Sequence, residues 1–398
     1  MIYLDHAATT PVDKEVVKVM LPFLDKQFGN PATLYKLGRQ AAQAITAARE
    51  IIAKILNSDS QEIIFTAGGT ESDNLAIFGI ANQFLTNSQN YHFITTTIEH
   101  SAVLNSFKIL EKQGFQVTYL SPDRFGLISP QEVMKALKPN TLLVSIMYAN
   151  NEIGTIQPIK EIGKIIKNYH HIQQIDKIAQ QPIYPIFHTD ACQAAGYLDL
   201  DITKLGVDLM TLNGSKIYGP KQIGILFKKN NIKLNSILHG GDQEMGLRPG
   251  TQNVASIIGI AKALELVENS REKETERLEK LRYYFTKQLL QIPDTILNGH
   301  PTKRLPNNIN VTFKYIEGES IMLKLDAQEI YVSTGSACHS TDLTPSHVIL
   351  ALGQSPEDVH GSMRFTMGKS TTKKDIDKVI KILPKIIKDL RAITAIKY

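Results

Sequence analysis

Seven short apolar runs between residues 62 and 227, separated by stretches of helical pattern, constrain what this chain can fold into more than any other feature. They are Glu62–Thr66, His92–Thr97, Gln116–Leu120, Thr141–Met147, Pro185–Asp190, Asp208–Leu212 and Ile223–Phe227. Most are rich in β-branched and aromatic residues and nearly continuous in hydrophobicity, as strands covered on both faces must be. Helical patterns precede and separate them, beginning with Asp13–Phe28 and Lys36–Leu56. The alternation predicts an α/β fold with a mostly parallel central sheet and helices on both faces. From about Val254 an apolar helix leads into a charged amphipathic one, Glu272–Gln291. Short strands at Asn308–Phe313, Ile330–Val332 and Ser362–Phe365 and a Lys-rich closing helix follow. At 398 residues the chain exceeds one typical core, so a large domain over 13–255 and a smaller α+β domain over 256–398 are expected.

Open sheets of this kind bind ligands at the carboxyl ends of their strands, and the reactive residues lie there. Asp190 ends one strand; Lys216 follows another in Asn213-Gly-Ser-Lys216. An amine and a carboxylate at neighbouring strand ends are what an aldehyde on a pyridine ring requires. The amine forms a Schiff base, and the carboxylate keeps the ring nitrogen protonated so that the ring accepts electrons. The ligand expected on this pattern is pyridoxal 5′-phosphate. Alone, a lysine after Gly-Ser is an ordinary solvated residue and an aspartate after a strand an ordinary turn former. A phosphate site upstream gives the pair its weight. Glu62–Thr66 reads as a strand, Ala67-Gly68-Gly69 as a turn of unusual backbone angles, and Thr70-Glu-Ser-Asp-Asn74 as a helix start. Such a turn presents free N–H groups and the positive end of a helix dipole. It is neither a P-loop nor a dinucleotide fingerprint. Late in the chain, Ser333-Thr-Gly-Ser-Ala-Cys338-His-Ser-Thr reads as an exposed loop carrying a thiol, a candidate nucleophile.

Composition excludes several other classes. Hydrophobic residues make up 42% and charged residues 21%, ordinary for a soluble globular chain. The two cysteines, Cys192 and Cys338, give no disulfide framework and fit a reducing, cytoplasmic setting. The chain opens on a strand-like segment and no apolar run is long enough to span a bilayer, so neither a signal peptide nor a membrane partner is expected. A formal charge of +5 without a dense basic block argues against nucleic acid as an obligate ligand. His170 and His171 lack the i, i+4 spacing of a metal site, and we expect surface residues and no metal.

Further motifs run in order from Tyr3-Leu-Asp-His-Ala-Ala-Thr-Thr-Pro11 through Gly29-Asn-Pro31, Glu99-His100 and Asn150-Asn-Glu-Ile-Gly154. His188-Thr-Asp-Ala-Cys-Gln193, Lys216-Ile-Tyr-Gly-Pro220, Arg248-Pro-Gly-Thr251, Gly335-Ser-Ala-Cys338 and Arg364-Phe follow. With these the chain resembles the cysteine desulfurases of the NifS/IscS type, in the class V aminotransferase branch of fold-type I pyridoxal phosphate enzymes. The resemblance implies that Lys216 carries the cofactor and moves the Cα proton. It also implies that His100 stacks on the ring, that Asp190 pairs with the ring nitrogen, and that Asn151 and Gln193 bond around its phenolic oxygen. Gly69, Thr70, Asn213 and Ser215 would hold the phosphate, joined by Thr251 from the second subunit of a homodimer. Arg364, helped by Asn30, would grip the substrate carboxylate. Cys338 would take sulfur from L-cysteine, or from L-selenocysteine its selenium, as a persulfide-type adduct, releasing alanine. The sulfur would then pass to an acceptor or scaffold protein for iron–sulfur clusters or thiolated tRNA. His100, His339 and the substrate itself are alternative bases for the thiol. The N-terminal dozen residues would cross over to the small domain.

The chain also departs from the family pattern. Ser215 stands where histidine is usual, Asn213 where serine is commoner, and Gln222 where glycine is expected. His6 stands where some relatives carry tyrosine or asparagine; substrate contact and a turn cap are the alternatives, and the turn cap is expected. Asn168–Pro182 reads as a polar inserted loop. Two other readings use the same residues differently: a transaminase or lyase working without the thiol, and a degenerate scaffold that binds sulfur-assembly partners.

Overall fold

A computed structural model describes residues 1–172, 184–334 and 345–393. Its strands, in chain order, are β1 (Ile2–Tyr3), β2 (Ile63–Thr66), β3 (His92–Thr96), β4 (Gln116–Leu120), β5 (Thr141–Ser145), β6 (Ile186–Asp190) and β7 (Leu209–Asn213). They continue with β8 (Gly224–Lys228), β9 (Thr295–Leu297), β10 (Asn308–Phe313), β11 (Ile330–Tyr331), β12 (Ser333–Thr334) and β13 (Ser362–Thr366). Seven of these form the large sheet in the order β2-β8-β7-β6-β5-β3-β4. Its pairs are parallel except those of β8, which runs against both β2 and β7. Strands β2, β3, β5, β6 and β7 therefore end at the same edge.

Side chains alternate across a strand, so successive residues feed opposite faces. Phe65, Val144, Phe187 and Met210 pack with the helices Lys36–Leu56 and Ile159–Ile172. Ile64, Leu143, Ile186 and Leu209 pack with the helices Gly69–Ala81 and Ser101–Lys112. Two covered faces are what the continuous apolar runs require. The helix Lys36–Leu56 buries Ala41, Ile45, Ala48, Ile52 and Leu56, the three-and-four spacing of one helical stripe, and stops at Asn57 with φ +55°. Truncating the fully buried Ile52 to alanine should cost about 2–5 kcal/mol.

Two helices differ from expectation. Asp13–Phe28 divides into Lys14–Met20 and Pro22–Asp25, because Pro22 has no N–H to continue the first helix and suits the start of the second. The two helices expected after Val254 are one, Val254–Leu289. Its residues Val254 to Val267 join the sheet core and Leu278 to Leu289 a second core, so the expected junction at 255/256 falls inside its first turn.

The second core is built on the antiparallel sheet β12-β13-β10-β9. Ile2 and Leu4 belong to it, and β1 pairs in parallel with β11. The N-terminal segment thus crosses from the second core back over the large sheet, where Thr10 N–H donates to Ser215 O at 2.9 Å.

Candidate active site

The common edge of β2, β3, β5, β6 and β7 gathers the residues singled out by sequence. Asp190 is the last residue of β6, and Lys216 closes the short turn that leaves β7. Lys216 Nζ donates to the carbonyl of Ala8. Asp190 is 7% exposed, and its Oδ1 accepts the N–H of Cys192 at 2.9 Å. His100 leaves the β3 edge as N-cap of the helix Ser101–Lys112, its Nδ1 accepting Ala102 N–H at 3.2 Å. An accepting Nδ1 assigns the ring proton to Nε2. Burial lowers the His100 pKa; nearby Asp190 opposes that and Lys216 adds to it, so the ring is neutral at neutral pH.

The β2 end forms an anion cup. Gly68 adopts φ +149°, a conformation that residues with a Cβ rarely take, and the helix Gly69–Ala81 starts with no side-chain cap on its N–H groups. Thr66 Oγ1 meets Ser72 Oγ at 2.7 Å and donates to Gly68 O at 3.1 Å, fixing the turn. Across the cup, Asn213 Oδ1 accepts both the N–H and the hydroxyl of Ser215, each at 3.1 Å. Its Nδ2 is thereby turned toward Gly69: a Cβ built on Gly69 would lie 3.5 Å from that nitrogen and 2.9 Å from Cys192 Sγ. Glycine keeps the cup open, and uncapped N–H groups with a side-chain amide suit a phosphate. The residues present therefore fit pyridoxal 5′-phosphate, with the phosphate in the cup and Lys216 and Asp190 at neighbouring strand ends.

Arg364, on β13, is 4% exposed. Its Nη1 donates to Asn151 O and its Nη2 to Asp5 Oδ1, both at 2.9 Å, while its buried Nε has no partner among the described residues. Asp5 belongs to the N-terminal motif, where sequence reading gave it no role. Gln193 Nε2 donates to Ala7 O at 3.0 Å and so tethers the same segment as Lys216. Asn30 forms an exposed turn, Oδ1 to Ala32 N–H at 3.0 Å, and makes no hydrogen bond to Arg364 among the described residues. Thr70 and Thr251 are exposed. Cys338 and His339 lie outside the described residues.

Beneath the edge lies a buried polar layer that sequence reading missed. His188 bonds Ser145 Oγ at 2.8 Å and Thr211 Oγ1 at 3.1 Å, and Asp73 Oδ1 is 3.7 Å from its Nε2. That separation would suit an ion pair, but burial pushes Asp73 well up, with Asp190 adding to it, and holds His188 at about 4. Both shifts work against an ion pair at this contact. Burial also raises Glu99 to about 8, although Met147 N–H and Thr96 Oγ1 donate to its Oε1. Cys192 is buried, and burial, reinforced by Asp190, pushes its thiol well above its usual range. From sequence Asp73 read as part of a helix start and Glu99 only as part of a motif with His100.

Two departures resolve differently from expectation. His6 caps no turn: it is buried, and its Nδ1 bonds Thr366 O on β13 at 3.0 Å. His170 and His171 fall in the last turn of the helix Ile159–Ile172 instead of a loop, and His170 Nε2 meets Pro185 O at 3.0 Å. The helical periodicity simply runs further than the polar composition suggested; 173–182 of the inserted stretch are outside the described residues. Gln222 takes φ +55°, so the turn keeps the geometry that glycine would satisfy.

The family model for aminotransferase class-V matches residues 2–379. The chain belongs to the class-V aminotransferase family. Among relatives within it, the cysteine desulfurase IscS of Methanosarcina thermophila is 49% identical over 390 residues, covering 98% of this chain and 93% of that protein. The cysteine desulfurase IscS of Dictyoglomus turgidum is 49% identical over 397 residues, covering 100% and 97%. Solved structures agree in fold. A NifS-like protein at 33% identity superposes with a TM-score of 0.88 over 98% of this chain and 100% of its own. SspA in complex with cysteine, at 37% identity, gives 0.79 over 92% and 99%. No helix among the described residues is long and apolar enough to cross a membrane.

Proposed function

We infer that the chain is a cysteine desulfurase, taking sulfur from L-cysteine onto Cys338 as a persulfide and releasing L-alanine. One observation carries the reading: Lys216, Asp190 and His100 meet at one sheet edge beside a glycine-built anion cup. Relatives matching nearly the whole chain are cysteine desulfurases, which supports it. Bound with its phosphate held by Gly69, Thr70, Asn213 and Ser215, pyridoxal 5′-phosphate supplies an aldehyde for an amine and a ring that withdraws electrons from the substrate Cα.

The chain's own residues do the rest. Asp190 keeps a proton on the ring nitrogen by opposite charge. Lys216 Nζ, released from Ala8 O, takes the Cα proton. His100, neutral with its proton at Nε2, packs on the ring and exchanges protons beside the substrate. Asn151 and Gln193 bond around the phenolic oxygen. Arg364 grips the substrate carboxylate, its Nε, without a partner among the described residues, supplying a donor. Cys338, as thiolate, attacks the substrate sulfur. The new S–S bond forms as the Cβ–S bond breaks toward carbon, and Cβ takes a proton, so cysteine plus thiol becomes alanine plus persulfide. A thiol of pKa about 8.5 is mostly protonated near neutrality, so a neighbouring base must remove its proton. The working form is a homodimer in which Thr251 of one subunit serves the other's phosphate. The persulfide goes to an acceptor or iron–sulfur scaffold protein, and selenocysteine is accepted as a substrate.

Incubating cofactor-loaded protein with cysteine should yield alanine and protein-bound sulfur in equal amounts, the sulfur on the Cys338 peptide by mass spectrometry. Cys338→Ser should abolish both. Alanine release untouched by that change would point to a lyase. Absence of any cofactor absorbance after loading would point to a scaffold.

A further inference from the structure

Two carboxylates outside the reactive cluster tie together segments that the reaction itself leaves unrelated. Glu244, whose side chain is 1% exposed, takes Arg49 Nη2 on both oxygens at 2.9 and 3.0 Å. Its Oε2 also accepts Phe65 N–H at 2.9 Å, and its Oε1 accepts Gln252 Nε2. Glu71 mirrors this from the other side: its Oε2 accepts Ala67 N–H at 3.0 Å and its Oε1 pairs with Arg248 Nε at 3.1 Å. Phe65 and Ala67 bring the chain into the Gly68–Gly69 cup, whereas Arg248 and Gln252 flank Thr251. The cup and the Thr251 segment are therefore stitched by reciprocal carboxylates.

The backbone is consistent with a fixed segment. Glu244 and Met245 are consecutive left-handed residues, at φ +47° and +60°. Residues with a Cβ hold that conformation only where their surroundings over-determine it, and the buried bonds of Glu244 do so. Thr251 is exposed, and its side chain makes no hydrogen bond among the described residues, so its placement depends on its neighbours.

We propose that Glu244 is a positioning residue that sets Thr251 for the cofactor phosphate of the partner subunit, acting in trans through Gln252. The proposal rests on the dimer reading of Thr251 given above. Because Glu244 also holds β2 through Phe65, each subunit's own cup and the residue it lends form one bonded unit.

Mixed dimers of the full chain separate trans from cis. Lys216→Ala silences one site for borohydride labelling, leaving one labelled Lys216 per dimer. In wild type paired with K216A/E244Q, the labelled site receives Thr251 from the altered chain. In E244Q paired with K216A, it receives Thr251 from an intact chain. The readout is the pyridoxal phosphate concentration that half-saturates labelling. The first pairing should need about tenfold more cofactor than wild type paired with K216A, the loss expected of one charge-assisted hydrogen bond, and the second within about twofold. Equal shifts, a larger shift in the second pairing, or none in the first would overturn the proposal. Gln252→Ala keeps the Arg49 and Phe65 bonds and should give the same trans pattern if E244Q dimers are too unstable to isolate. A monomer by sedimentation, or a Thr251→Ala variant without a trans effect, overturns the underlying Thr251 reading. A trans effect of Thr251→Ala with none from E244Q or Gln252→Ala overturns the role of Glu244 alone.

Discussion

Arg364→Lys keeps a positive charge on β13 while removing the planar fork, and the structure sets what that should cost. The wild-type guanidinium spends Nη1 on Asn151 O and Nη2 on Asp5 Oδ1, each at 2.9 Å, and retains a buried Nε with no partner among the described residues. A carboxylate arriving there can take two parallel bonds, whereas an ammonium with three donors that must also satisfy Asp5 and Asn151 O has one to spare. One charge-assisted hydrogen bond is worth about 1.5–3 kcal/mol, which is about 10- to 150-fold in kcat/KM. The assay compares L-cysteine with its methyl ester, following sulfide released in the presence of a reducing thiol. Wild type should prefer the free acid. Arg364→Lys should lose that preference by about the factor above, mostly through the acid, because the ester never made the second ionic bond. A variant that keeps the wild-type preference refutes the assignment. Equal losses on acid and ester would also refute it, assigning Arg364 to holding Asp5 and Asn151 instead of substrate.

Three further outcomes follow from the same geometry. Burial raises Glu99 to about 8 and Glu152 to about 7, above the ordinary 4.5, so the folded state holds protons that the unfolded chain has released. Their stabilising effect is full below about 4.5 and is lost as pH rises toward about 8. Glu99→Gln, always neutral, should therefore gain on wild type in urea midpoint between about pH 5 and pH 8.5; a constant difference counts against a protonated Glu99. Gly69→Ala puts a Cβ 2.9 Å from Cys192 Sγ. Titration should reveal weakened cofactor binding that Cys192→Ala partly restores, and additive losses would dissociate the two positions. Gln222→Gly relieves a left-handed residue, φ +55°, and should raise stability by up to about 1 kcal/mol in chemical denaturation, whereas a drop would mean that the Gln222 side chain stabilises the turn.

Much of this was legible in sequence because the informative signals are local. The apolar runs gave the strands of the large sheet, since a strand buried on both faces has few polar residues to spare. Asp190 and Lys216 stood out because each ends its run, and Gly68-Gly69 because a strand followed by two glycines and a helix start has few other uses. The direction of β8 was not legible: an antiparallel strand in the interior of the sheet has the same composition as its parallel neighbours. Long-range partners were equally hidden. Asp5 and Arg364 are 359 positions apart, and nothing local to Asp5 points to a guanidinium. Asp73, Glu99 and Glu244 are acids near turns, which normally face water. Only packing reveals that burial raises Asp73 and Glu99 and that Glu244 is a buried anchor. The helix break at Pro22 was readable, but the apolar periodicity on either side concealed it.

Every proposed role at the site depends on a covalent link between pyridoxal phosphate and the amine at the end of β7. Borohydride reduction of cofactor-loaded protein, followed by digestion and mass mapping, should place the cofactor-derived mass on the peptide containing Lys216 and leave Lys216→Ala unlabelled. Label on a different lysine, or equal label on the alanine variant, would contradict it.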